Sequence, residues 1–216
     1  MARDGIPDPA GTVPVPGVPV LNLANALTVL RLLLVPVVLV LLFTAGGHDA
    51  GWRIAAWGAF AVASVTDRID GEVARRRGLI TSFGKLADPI ADKALTGATL
   101  VGLSVLDDLP NWVTATILTR EVGVTLLRFW VIRHGVIPAS RGGKLKTLLQ
   151  GVAIGCYLLP IGAGPLGTLR AVLMAAALVV TLVTGFDYIA RALKLRQTSE
   201  RAAMKRARRA ERASGL

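Results

Sequence analysis

Between residues 22 and 190, long apolar runs separated by short polar or Gly/Pro-rich breaks divide the chain into six segments. The first, residues 25–45 within LNLANALTVLRLLLVPVVLVLLFTAGG, is long enough to span a bilayer, since about 20 apolar residues cross its hydrocarbon core. Asn22 or Asn25 is placed to cap its start, and Pro36 inside it is tolerable in a packed bundle. The second runs from Trp52 to about Arg75, uncharged from Ile54 to Thr66, with Gly78 as its stop. The third covers 83–106, the fourth 111–133, the fifth 147–165 and the sixth 168–190. GGHD (46–49), DDLPN (107–111) and HGVIPASRGGKLK (134–146) read as turns or loops. The pattern predicts an all-α, polytopic membrane protein with six transmembrane helices in one domain, residues 22–190. Residues 1–21 form a Pro/Gly-rich tail that lacks the charged start and apolar core of a signal peptide. Residues 191–216 form a basic tail, expected to lie on an anionic membrane surface.

Composition agrees with the pattern. Hydrophobic residues make up 53% of the chain and charged ones 18%, which argues against an ordinary water-soluble domain. The net charge of +11 admits either a nucleic-acid partner or basic loops on one face of a membrane. With aromatics at 5% and none interleaved with the basic runs, nucleic acid is the weaker reading. Most of the 25 Lys and Arg residues fall at Arg3, in 68–85, in 133–146 and in 191–212, whereas the alternate loops offer only Arg53 and Arg170. The positive-inside rule therefore puts both termini in the cytoplasm and the chain in the cell membrane. Gly151, Gly155, Gly162 and Gly164 suit close helix packing.

Against this apolar background the stretch DRIDGEVARRRGLITSFGKLADPIAD (67–92) carries four aspartates in two pairs, Asp67/Asp70 and Asp88/Asp92. An aspartate at the centre of a spanning helix costs roughly 2.5–3.5 kcal/mol, so such a cluster needs partners. Helical spacing puts residues 67, 70, 71 and 74 on one face, and Asp88 and Asp92 on one face of the next helix. A short connection makes the two helices antiparallel neighbours and brings both pairs to one cytoplasmic-side pocket. Small residues at Gly71 and Ala74 leave room for a ligand. The single cysteine, Cys156, lies in an apolar run, and His48 and His134 are far apart, which leaves carboxylates as metal ligands. An all-oxygen set suits a hard divalent ion such as Mg²⁺ or Mn²⁺. The bland alternative pairs each acid with Arg68, Arg75 or Arg76 and merely joins helices.

The spacing Asp67-x2-Asp70-Gly71-x2-Ala74-Arg75-x8-Gly84-x3-Asp88-x3-Asp92 resembles the signature of the CDP-alcohol phosphatidyltransferase family, with every position met. The resemblance extends over residues 22–190 and implies a six-span membrane enzyme, dimeric as is usual in the family. It implies that Asp67, Asp70 and Asp88 hold two metal ions and that Asp92 deprotonates the acceptor hydroxyl. Gly71, Ala74, Arg75 and Gly84 are implied to bind the CDP-lipid. LNLANALTVLR, LADPIADKAL, TREVGVTLLR and ASRGGKLKTLLQ resemble the branch that joins CDP-diacylglycerol to sn-glycerol 3-phosphate. A phosphorylated acceptor needs cations beside the aspartates, and Arg120, Arg128, Arg141, Lys144 and Lys146 are the candidates, with Glu121 a structural partner for the arginines within the span. Inositol phosphate and phosphatidylglycerol remain as alternative acceptors. From a different class, a cation transporter would also place acids within the membrane.

Overall fold

Asn22 opens α1 (Leu23–Phe43), its Oδ1 accepting from the backbone N–H of Asn25 at 3.0 Å. In the computed structural model, residues 22–77, 82–131, 141–162 and 164–213 are described, without the side chains of 23, 24, 68–77, 82–86, 128, 129, 131, 141, 142 and 196–213. A 3₁₀ turn, Thr44–Gly47, follows α1. Gly47 there takes a φ of +81°, and a Cβ at this position would run into Leu106. The Asp49 carboxylate accepts from the N–H of Trp52 at 3.0 Å and so caps α2 (Ala50–Arg77). Then come α3 (Ser82–Val105), α4 (Asn111–Val131), α5 (Arg141–Leu158) and α6 (Pro165–Ala213). The described residues are thus all-α, as the hydropathy pattern predicts.

Two boundaries differ from the sequence expectation for a shared reason. Pro160 removes a backbone donor and disfavours the helical region at the preceding residue, so α5 ends at Leu158 rather than near 165. Pro165 suits the first position of a helix, and α6 starts there. At their other ends both helices are longer than expected. Arg141, Lys144 and Lys146 belong to α5, not to a loop. With no Gly or Pro from Phe186 to Ala213, α6 passes residue 190 unbroken and reaches 49 residues. That is about 74 Å of helix, far more than a hydrocarbon core requires. Gly162 and Gly164 consequently lie in the α5–α6 connection, and Gly151 meets no neighbour within 4 Å. Gly155 of α5 is buried against Trp57 of α2, as expected, and close approaches also fall at Gly102 of α3, which faces Leu42 and Leu39 of α1, and at Gly185 of α6, which faces Arg120 of α4.

The helices alternate in direction. At one end Arg53, in the first turn of α2, is buried and reaches the ends of three other elements. It donates to the carbonyls of Gly47, Tyr157 and Leu158 at 3.0, 2.7 and 3.2 Å and to Asp108 Oδ2 at 2.7 Å. Arg170, near the start of α6, stacks on the Tyr157 ring at 4.9 Å. The ends of α1, α3 and α5 thereby meet the starts of α2 and α6. Arg53 is a clamp and not the loop cation suggested by the charge count. Losing it strands Asp108 and the last carbonyls of α5, a cost of roughly 3–5 kcal/mol. Arg53→Met is accordingly expected to lower the thermal unfolding midpoint in detergent by on the order of 10 °C, and an unchanged midpoint would show the clamp to be dispensable.

Packing also departs from the expectation that α2 and α3 are direct neighbours. Among the described residues they share few contacts, and each packs chiefly on α1; α5 lies against α2, α3 and α6, and α4 against α3 and α6. The core between them holds Leu42, Leu100, Leu103, Ile117, Ile154 and Leu158. Polar side chains, among them Thr28, Arg31, Thr99, Thr114, Gln150 and Thr181, are buried with them. The outer faces are apolar on every helix, with Leu33 and Val40, Val62 and Val65, Val101, Val122 and Leu126, Val152, and Val179 and Val183 exposed. Among the described residues two segments, Asn25–Gly47 and Pro165–Leu195, are long and apolar enough by themselves to cross a membrane.

Candidate active site

Opposite the Arg53 clamp, the starts of α1, α3 and α5 come together with the later halves of α2 and α4. Thr28 and Arg31, three residues apart on α1, face the same way. Arg31 is fully buried, and its Nη1 lies 2.7 Å from Asp67 Oδ1 on α2. The Thr28 hydroxyl donates to Asp88 Oδ1 on α3. One face of α1 therefore holds one carboxylate from each predicted pair and links α2 to α3 among the described residues. Sequence reasoning passed over both residues, although Arg31 is the one charge in the first apolar run and such a charge is expected to face a partner.

Asp92, one turn beyond Asp88, occupies the boundary between two environments. It lies within electrostatic reach of Asp67 and Arg31 on one side and of Lys146 and Glu121 on the other. A small cavity between α3, α4 and α5 is lined by Asp92, Lys93, Thr96, Glu121, Lys146, Thr147 and Gln150. Glu121 Oε1 accepts from Lys146 and, at 3.0 Å, from Arg120 Nη1. Arg120 Nη2 donates to Thr184 of α6 at 2.8 Å, and a Cβ on Gly185 would stand 3.0 Å from its Nε. Lys93 donates to the hydroxyl of Thr125. Two cations on one carboxylate, with Lys93 beside them, leave this side of Asp92 rich in positive charge.

The predicted acceptor-phosphate residues are thus sorted by geometry. Lys146 is buried and lines the cavity; Arg120 stands behind it, tied to Glu121 and α6. Lys144, two residues from Lys146 and so roughly opposite it on the helix, is exposed. The side chains of Arg128 and Arg141 lie outside the described residues, as do those of Asp70, Gly71, Ala74, Arg75 and Gly84. Lys93 and Gln150 join the site without having been singled out. Gln150 is buried, and its Oε1 accepts no hydrogen bond among the described residues. Gln150 is hidden as a lone polar position in an apolar run, and Lys93 as the neighbour of Asp92, whose acid draws the attention.

Among the described side chains no three of the His, Cys, Asp and Glu type lie close enough together to hold a metal ion, Asp70 being outside that set. The donor chemistry nevertheless fits a hard divalent cation. Asp67 and Asp88 offer carboxylate oxygens with no nitrogen or sulfur among them. Asp67 is bound to Arg31 through Oδ1, and with 37% of its side chain exposed it has the other oxygen to offer.

Comparison with known proteins gives a consistent picture. The family model described as CDP-alcohol phosphatidyltransferase matches residues 21–183. A Mycobacterium tuberculosis (strain H37Rv) protein named "Probable phosphatidylglycerophosphate synthase" is 58% identical over 182 residues, 82% of this chain and 87% of that protein. The CDP-diacylglycerol–glycerol-3-phosphate 3-phosphatidyltransferase of Bacillus subtilis (strain 168) is 33% identical over 193 residues, covering 82% and 98%. A CMP-forming cardiolipin synthase of Streptomyces coelicolor is 35% identical over 158 residues, covering 71% and 72%.

Proposed function

This chain belongs to the CDP-alcohol phosphatidyltransferase family, and on that premise we propose that it transfers the phosphatidyl group of CDP-diacylglycerol to sn-glycerol 3-phosphate, giving phosphatidylglycerophosphate and CMP. The names of the Mycobacterium and Bacillus relatives support the acceptor. The single observation that carries the mechanism is the position of Asp92, between the carboxylates held by α1 and the Lys-lined cavity.

In this reading the CDP-lipid lies over Asp67, Asp70 and Asp88, with Gly71 and Ala74 giving it room and Arg75 and Gly84 beside its phosphates. These three aspartates would hold two divalent ions, Mg²⁺ or Mn²⁺, which when bound supply electrostatic stabilisation of charge on the phosphates. The acceptor phosphate enters the cavity, where Lys146 meets it and Arg120 adds charge from behind Glu121. Gln150 Oε1 is free to accept from an acceptor hydroxyl. Asp92 takes the proton of the attacking hydroxyl as the new oxygen–phosphorus bond forms. The bond from that phosphorus to the bridging oxygen breaks, and CMP leaves with the electron pair.

We place the six helices across the cytoplasmic membrane with both termini and the site on the cytoplasmic side. The apolar outer face of every helix and the polar residues inside support this, since lipid replaces water as the outer solvent. The basic segments 68–85, 133–146 and 191–212 adjoin the helix ends on the site side, in keeping with the positive-inside rule.

Purified protein given CDP-diacylglycerol and a panel of acceptors is expected to release CMP fastest with sn-glycerol 3-phosphate. Faster release with inositol phosphate would overturn the acceptor. Faster release with phosphatidylglycerol would move the chain to the activity named for the Streptomyces relative. Metal flux into proteoliposomes without any CDP-lipid would favour a cation transporter instead.

A further inference from the structure

We propose that Thr28 and Arg31 of α1 are positioning residues that set the geometry of the metal-holding carboxylates, an inference that rests on the reading of Asp67 and Asp88 as metal ligands. Among the described residues the two helices that carry these aspartates share few contacts with each other and many with α1. Both helices pack on α1, which meets Asp88 by a hydroxyl hydrogen bond and Asp67 by a charge pair. Arg31 engages Asp67 Oδ1 and Thr28 engages Asp88 Oδ1, in each case one of the two carboxylate oxygens. Oδ2 of each is left to turn toward a ligand. Thr28 and Arg31 are 1% and 0% exposed, so packing fixes their own rotamers and makes them a rigid reference for the acids they hold.

The two residues do this by different physics. Thr28 contributes a hydroxyl and no charge, so its effect on an ion is through orientation alone. Arg31 contributes a positive charge that holds the Asp67 carboxylate by attraction and by itself opposes a nearby cation. A positive charge beside a cation site is tolerated where it holds a carboxylate that would otherwise swing away, and outer-shell hydrogen bonds of this type are commonly worth about 10- to 100-fold in metal affinity. If Arg31 served only as a buried counter-charge, its removal would tighten metal binding; as a positioning residue, its removal weakens it. The sign of the change therefore separates the two roles.

The test is a titration of Mn²⁺ into the purified full chain in detergent micelles, with free ion read by electron paramagnetic resonance. Thermal unfolding is followed in parallel. Thr28→Val is expected to raise the Mn²⁺ Kd about 10- to 100-fold, Thr28→Ser to restore it, and Arg31→Gln to raise it in the same direction. If wild-type protein binds Mn²⁺ and Asp88→Asn removes that binding while Thr28→Val leaves it unchanged, this inference fails and the metal-ligand reading stands. Tighter binding in Arg31→Gln removes Arg31 from the positioning role. If wild-type protein binds no Mn²⁺, or Asp67→Asn and Asp88→Asn change nothing, the metal reading fails and this inference with it. Should Arg31→Gln not fold, the Thr28→Val and Thr28→Ser pair still decides, because that hydroxyl carries no buried charge.

Discussion

Asp88→Asn is expected to reduce CMP release by about a thousandfold while leaving the thermal unfolding midpoint nearly unchanged. The amide keeps an oxygen that can accept from the Thr28 hydroxyl, so the α1–α3 contact survives the substitution. What is lost is a negative charge, and a neutral amide is a much poorer ligand for a hard divalent ion. Charge stabilisation of the kind an ion supplies to phosphate oxygens is worth several kcal/mol, and about 4 kcal/mol corresponds to a thousandfold in rate. Asp67→Asn should lose turnover by a similar factor but should behave differently in stability. It takes the carboxylate away from Arg31, which is fully buried, at a cost of roughly 3 kcal/mol. The contrast can be checked in one experiment, by measuring CMP release, Mn²⁺ binding and unfolding for both variants. Wild-type turnover in Asp88→Asn would remove Asp88 from the metal site whatever its effect on folding.

Much of this site is legible in the sequence because helical spacing is a local property. That Asp88 and Asp92 share a face of α3 follows from their separation of four residues, and the helix forms as expected. The cap at Asn22 and the all-helical pattern are local in the same sense. Which helix face meets which neighbour is a different kind of question. The short link between α2 and α3 points to direct packing, yet among the described residues both helices pack chiefly on α1, where Arg31 and Thr28 have partners on each. Nothing in the spacing of α1 alone names those partners, although the lone charge at Arg31 announces that it has one. Arg53 illustrates the opposite error. Counted as a loop cation, it suits a charge-bias argument; in three dimensions it closes the ends of α1, α3 and α5. The extent of α6 was obscured because hydropathy falls at residue 190 while helix propensity does not.

Asp92→Asn is expected to leave binding intact and remove the chemistry. In the proposed mechanism Asp92 accepts the proton of the attacking hydroxyl, and a group in that role typically contributes 10²–10⁴-fold to rate. The substitution conserves shape, and the surroundings of Asp92 are held by others. Lys146 is fixed by Glu121, Arg120 by Glu121 and Thr184, and the carboxylates of Asp67 and Asp88 by α1. Mn²⁺ affinity and CDP-diacylglycerol binding should therefore stay within a few-fold of wild type, while kcat falls by about 10²–10⁴ and KM for sn-glycerol 3-phosphate changes little. Lys146→Met gives the converse pattern, because a cation that meets the acceptor phosphate acts on binding and should raise KM more than it lowers kcat. If Asp92→Asn instead loses Mn²⁺ or CDP-lipid binding together with turnover, Asp92 is a ligand and another group must take the proton. The neighbours that remain on the cavity wall with an acidic oxygen then narrow to Glu121, whose carboxylate is shared between Lys146 and Arg120.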